Sequence, residues 1–238
     1  MAVVVRSRFY PHIALALALF VIIGFLRNYY FRFLTDLPPM VTVVHLHAIV
    51  FTGWLVLFVV QTRLIAAHRV AIHMRLGLAG LVLAACIVVL GVATAFHTAA
   101  VSRIRPSGLT PAQFAVVPLV SITLFAIFVG LGAALRRRAG AHKRFMVLAM
   151  IAVLGPPVGR LLLLFDITAA APLVQPLVTA TFVSWCLIHD WRHHRWVHPV
   201  FAIGGLVVVA AWPLRTLIAR SEWWQPVGAW VAKVGAGI

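Results

Sequence analysis

Long apolar runs, interrupted by short stretches rich in Arg, His and Pro, set the pattern of this chain. Seven runs are long enough, or nearly so, to cross the roughly 30 Å of bilayer hydrocarbon. They fall at about 10–30, 41–64, 77–98, 113–135, 145–165, 172–190 and 199–217. No Asp, Glu, Lys or Arg occurs between Asp36 and Arg63, between Arg75 and Arg103, or between Arg105 and Arg136. Within lipid such runs must satisfy their own backbone hydrogen bonds, which predicts helices. Pro156-Pro157 predicts a break or kink in the fifth. The first run follows Arg6 and Arg8, but no convincing small-residue cleavage site precedes Arg27-Asn28-Tyr29-Tyr30. It is therefore expected to be a true span ending in an interfacial belt rather than a signal peptide. Trp223, Trp224 and Trp230 mark 221–238 as an interfacial tail. The expected fold is an all-α integral membrane bundle of about seven helices, forming one transmembrane domain over 1–238.

Composition excludes the main alternative. Of 238 residues, 63% are hydrophobic and 10% charged, so no charged shell can cover a soluble domain of this size. The 20 Lys and Arg against 4 Asp and Glu give a formal charge of +16. These basic residues sit between the apolar runs, a pattern that points to topology signals and lipid headgroups rather than nucleic acid. The N-terminal side and the loops sharing it hold twelve Lys or Arg, including Arg6, against seven on the other side, including Arg103, Arg105 and Arg215. The count predicts a cytoplasmic N-terminus and an external C-terminus, in a cell inner membrane. Cys86 and Cys186 lie at depths that differ by roughly 10 Å, which argues against a disulfide or dithiol chemistry.

Polar residues inside spans carry the chemistry of membrane proteins. The eleven histidines sort into two layers. At the outer end lie His45 and His47 on span 2 and His97 on span 3, with Arg160 near the end of span 5 and Asp166 beyond it. His45 and His47 point about 200° apart on a helix, so at most one faces a given site. That one, paired with His97, is a candidate pair of axial haem ligands. Arg160 is a candidate clamp for a haem propionate, a quinone oxygen or a lipid phosphate, or else it snorkels to the interface. At the inner end lie His12, His68, His73, His142, His189, His193, His194 and His198. His73 and His142, among Arg69, Arg75, Lys143 and Arg144, are candidates for a second haem. His189 with His193, and His194 with His198, have the i, i+4 spacing of a chelating pair, and Asp190 is placed to orient such a ligand. The spacings His68-x4-His73 and His189-x3-His193-His194 match two histidine boxes of membrane di-iron oxygenases. A third box is lacking, with only His142 left over.

The stretch His45-Leu-His47, Gln61 and Arg69-Val-Ala-Ile-His73-Met-Arg-Leu-Gly, followed by Ala141-His142-Lys143-Arg144-Phe145-Met146, resembles a large group of uncharacterised bacterial multi-span membrane proteins. The likeness covers spans 2 to 5. Two departures are Met74 after His73 and the variant Ala-His turn. The resemblance implies a bacterial membrane protein and little about activity. Similarity to cytochrome b561-like haem bundles is one of layout alone.

Together these features lead to the expectation of a haem b protein in transmembrane electron transfer or in haem or oxidase maturation. Its partners would be membrane lipids and a quinone or respiratory-complex subunits. The alternatives are a cofactor-free accessory or assembly subunit and a non-haem iron oxygenase. A retinal protein is excluded because span 7 lacks a buried lysine. The acidic residues Asp36, Asp166, Asp190 and Glu222 are expected at span edges, which argues against proton-coupled transport.

Overall fold

The computed structural model describes residues 8–101 and 108–238, and every regular element among them is helical. Arg6, Arg103 and Arg105, which enter the charge count, lie outside the described residues. Helix α1 (Phe9–Phe25) runs on through a π-turn at Leu26–Tyr30. It is followed by α2 (Thr42–Ala66), α3 (Val70–Val101), a short α4 (Pro111–Phe114) leading into α5 (Val116–Ala134), and α6 (Ala139–Ala152). Then come α7 (Gly155–Leu164), α8 (Ala171–His194), α9 (Pro199–Arg220) and α10 (Trp224–Gly235). Among the described residues seven helical stretches are long and apolar enough to cross a membrane, so the chain is an all-α, multi-pass membrane bundle. "Inner" and "outer" below denote the ends that the charge count predicts as cytoplasmic and external.

The bundle is apolar outside as well as inside. Leu78 and Leu206 are about 70% exposed, and similar side chains line the outward faces of α2, α3, α8 and α9. So much exposed apolar surface has lipid as its natural solvent. The fifth span is the axis of the structure. From Val147 to Leu154 every residue is buried, so α6 is covered on all sides. It packs against α1, α5, α8 and α9, and α2 reaches it through Trp54, whose indole N–H points to the Met150 sulfur at 3.1 Å.

The expected break in span 5 is present: α6 stops at Ala152 and α7 starts at Gly155. Pro156 and Pro157 have no N–H to continue the ladder, and their rings crowd the preceding turn. At this break the buried carbonyl of Gly155 accepts a hydrogen bond of 3.2 Å from Gln175 Nε2 on α8. Glycine is needed where helices meet at this break. A Cβ on Gly155 would stand 2.8 Å from the Trp212 ring, and one on Gly24 would stand 2.7 Å from the Pro157 Cα.

Several boundaries lie beyond the expected ones: α6 begins at Ala139, six residues before the expected 145. Helix α3 begins at Val70, seven residues before the expected 77. Charged residues mark the edge of the hydrocarbon, whereas a helix continues into the interface as long as its own hydrogen bonds are met. The segment after Ser221 is a helix folded back on the outer end. Trp224 Nε1 donates to the Ala112 carbonyl at 3.3 Å, Trp230 lies edge-on to Phe96, and Gly235 packs on the Phe96 carbonyl.

Candidate functional site

Helices α3 and α6 bring His73 and His142 together at the inner end. Their ring centres are 6.1 Å apart with planes nearly perpendicular, at 81°. Each ring is positioned by its surroundings. The His142 Nδ1 lies 2.8 Å from the carbonyl of Gly132, at the end of α5. A carbonyl only accepts, so Nδ1 carries a proton, and in the neutral ring Nε2 keeps its lone pair. This is the tautomer and anchoring found in metal-binding imidazoles. The His73 backbone carbonyl accepts a bond of 3.2 Å from Gln61 Nε2, while the buried His73 Nδ1 has no partner among the described residues.

A second inner cluster is built on an ion pair that the sequence does not announce. Arg144 and Asp190 are both almost wholly buried and meet in bidentate fashion, through Nε–Oδ2 at 2.9 Å and Nη2–Oδ1 at 2.6 Å. Arg144 Nη1 also donates to the Gly140 carbonyl, and Asp190 Oδ2 accepts the His198 backbone N–H at 3.2 Å. Asp190 thus lies near the inner end of α8, as its sequence position suggested, but it is buried and paired with Arg144. It ties α6 to α8 and to the turn before α9.

The histidines around this pair are divided among other tasks. His189 stacks flat on Phe9 at 3.8 Å and has His193 at 4.5 Å. His193, His194, His12 and His68 are exposed. His198 caps α9: its Nδ1 accepts the Val200 N–H at 3.2 Å. Burial and the neighbouring Arg144 guanidinium hold its pKa below the ordinary histidine value. Among the described residues no three His, Cys, Asp or Glu side chains gather around a possible metal position. His189, His193, His194 and His198 therefore do not form the multi-histidine site that a di-iron reading needs.

At the outer end the structure separates the two candidates on α2. His47 turns inward, where its Cε1 would lie 3.3 Å from a Cβ on Gly91 of α3, and its Nδ1 is buried without a partner. His45 is exposed beside the Tyr29 ring, 5.7 Å away. His97 lies six residues beyond Gly91, about 9 Å further along α3. Among the described residues no ring contact joins it to His47, and its own Nδ1 is also buried without a partner. Arg160 is half-buried with the Arg32 guanidinium as an electrostatic neighbour. Asp166 is exposed, with its backbone in the left-handed region, and makes no ion pair with Arg160.

One outer residue entered the sequence reading only as a topology charge. Arg215, on α9, is 1% exposed, and among the described residues its Nε, Nη1 and Nη2 find no hydrogen-bond partner. Its guanidinium lies 4.4 Å from the centre of the Trp212 ring. That stack returns about 2 kcal/mol when desolvated, against a desolvation cost of several kcal/mol per buried ion. The protein therefore carries a net cost at this position. The available signal was that Arg215 is the only charge between Pro199 and Ala219.

Comparison of the chain with protein-family models, with curated proteins and with solved structures finds no match.

Proposed function

We propose that this chain is a haem b-binding protein of a bacterial inner membrane, N-terminus in the cytoplasm, and that it moves electrons through the membrane. The observation that carries the reading is the His73–His142 pair. Two imidazoles whose ring centres stand about 6 Å apart could both reach one metal ion, since a metal–imidazole bond is about 2 Å long. The observed 6.1 Å has that magnitude. In the neutral His142 ring the Gly132 carbonyl places the proton on Nδ1 and leaves Nε2 to ligate, and among the described residues the buried Nδ1 of His73 has no protein partner to compete for it.

Bound haem would supply one-electron chemistry. The residues of this chain supply the rest. Gly132 fixes the His142 tautomer, and Gln61 holds the start of α3 that carries His73. Arg75, Lys143 and the surrounding basic positions favour propionate carboxylates at this end. At the outer end the inward-facing His47 and Arg160 are the residues that would serve a second redox group. His45 would not, since it faces away. A membrane quinone or a respiratory-complex subunit is the partner class that one-electron chemistry at these depths implies.

The test is haem stoichiometry in the full chain purified from cells supplied with haem. The proposal expects His142→Ala to lose one haem, with His12→Ala, at an exposed position, unchanged. Equal haem content in both variants would overturn the assignment. Stoichiometric iron without a Soret band would favour non-haem iron, and a colourless, iron-free protein would favour the accessory-subunit reading.

A further inference from the structure

The redox reading leaves the guanidinium of Arg215 unused. This side chain lines a cavity of about 200 Å³ at the outer end, whose walls include Phe114, Gln175, Pro176, Trp212, Pro213 and Thr216. The simplest role of an arginine five residues from a span end is snorkelling to the headgroups. Its burial, and the lack of any acceptor for its three nitrogens, rule that role out. Helices α8 and α9 hold it in place. Trp212, on which it stacks, donates its indole N–H to Thr179 at 3.0 Å, and Thr179 bonds back to the Gln175 carbonyl at 2.9 Å. Gln175 in turn is committed through Nε2 to Gly155 at the break in span 5. The scaffold around the charge is satisfied, and the charge is not.

We propose that this cavity binds a phosphate-type oxyanion, presented by an anionic phospholipid headgroup or arriving as free phosphate, with Arg215 as its counter-ion. A guanidinium offers five N–H donors in a planar fork that fits phosphate oxygens in pairs. An anion beside it converts a costly buried charge into a paired one. The volume lies below the 300–1,000 Å³ of sites for drug-sized ligands, so the cavity suits a headgroup rather than a ring system. Pro213 and Thr216 at its rim are exposed on the outward side of α9. Leu214 and Leu217 beside them are exposed apolar side chains of a lipid-facing surface. The site thus opens sideways to the bilayer, which gives a phospholipid direct access.

The experiment uses the full chain, stripped of lipid in neutral detergent, and reads the unfolding midpoint and bound mass by native mass spectrometry. The additions are phosphatidylglycerol, phosphatidylcholine or inorganic phosphate. The proposal expects phosphatidylglycerol to raise the midpoint and remain bound. Arg215→Met should bind it about thirtyfold more weakly or worse, since a buried charge–anion contact is lost. The same variant without anionic lipid should be at least as stable as the parent, because an unpaired buried charge has been removed. Thr216→Trp, which narrows the rim and spares Arg215, serves as a second variant if Arg215→Met does not fold. It should exclude phosphatidylglycerol. A shift with phosphatidylglycerol alone identifies the lipid headgroup as the source. A shift with inorganic phosphate as well, both lost in Arg215→Met, identifies a general oxyanion site. Equal shifts with phosphatidylcholine, no shift with either anion, or unchanged binding in both variants would overturn the proposal. Haem content should be the same in parent and Arg215→Met, so this result is read independently of the redox proposal.

Discussion

Asp190 and Arg144 face each other through two parallel N–H···O bonds, 2.9 and 2.6 Å long, inside the inner end of the bundle. Two charges taken into a low-dielectric site are expensive, but matched geometry and further bonds to Gly140 and His198 offset that cost. The pair marks where three segments close together, and removing one partner would strand the other.

Asp190→Asn should therefore destabilise the protein by about 3–5 kcal/mol, the usual effect of leaving a buried charge uncompensated. Arg144→Met combined with Asp190→Leu should recover most of that loss. Thermal unfolding of the three proteins in one detergent checks this. A single variant as stable as the parent would show that the pair contributes nothing to the closed inner end.

The cap on α9 gives a pH dependence with a definite sign. His198 accepts the Val200 N–H through Nδ1, a bond that protonation removes. Its folded pKa lies below the ordinary value, through burial first and Arg144 next. The unfolded chain then binds the proton more readily. The contribution is fully present above about pH 6.5, the unfolded value, and is lost as the pH falls through the lower folded value. His198→Ser keeps a capping oxygen without a titrating ring. Unfolding midpoints measured between about pH 5 and 8 should fall more steeply with acid in the parent than in this variant.

Helix packing at the span 5 break makes a third expectation. Gly24→Ala pushes a methyl into the backbone of Pro157, which cannot move without displacing α7. A cost of about 1–3 kcal/mol follows from overpacking. Gly53→Ala meets no heavy atom within 4 Å, and should be neutral or stabilising by about 0.5–1 kcal/mol through helix propensity. Paired unfolding measurements test the contrast, and a Gly24→Ala protein equal to Gly53→Ala would contradict the contact.

The span positions were legible because lipid imposes a rule on sequence: long uncharged runs must be helices. The Pro156-Pro157 break was legible for an equally local reason. Depth and direction were not. Asp190 lies near the end of its run, as expected, but the sequence does not show that α1, α6 and α9 close over that end and bury it. Arg215 entered a charge count because its partnerless burial depends on α5 and α8. The choice between His45 and His47 rested on rotation about α2, which only the position of Gly91 on α3 decides. By contrast, the sequence did single out His73 and His142, since both open helices that start at the same face.

The central claim is that these two imidazoles share one haem iron. A reduced-minus-oxidised absorbance spectrum of the full chain, purified with haem supplied, tests it most directly beside His73→Ala. The account predicts Soret and alpha bands of a six-coordinate haem b in the parent and the loss of one such component in the variant. A spectrum identical in the two proteins, or one with no haem bands in the parent, would contradict it.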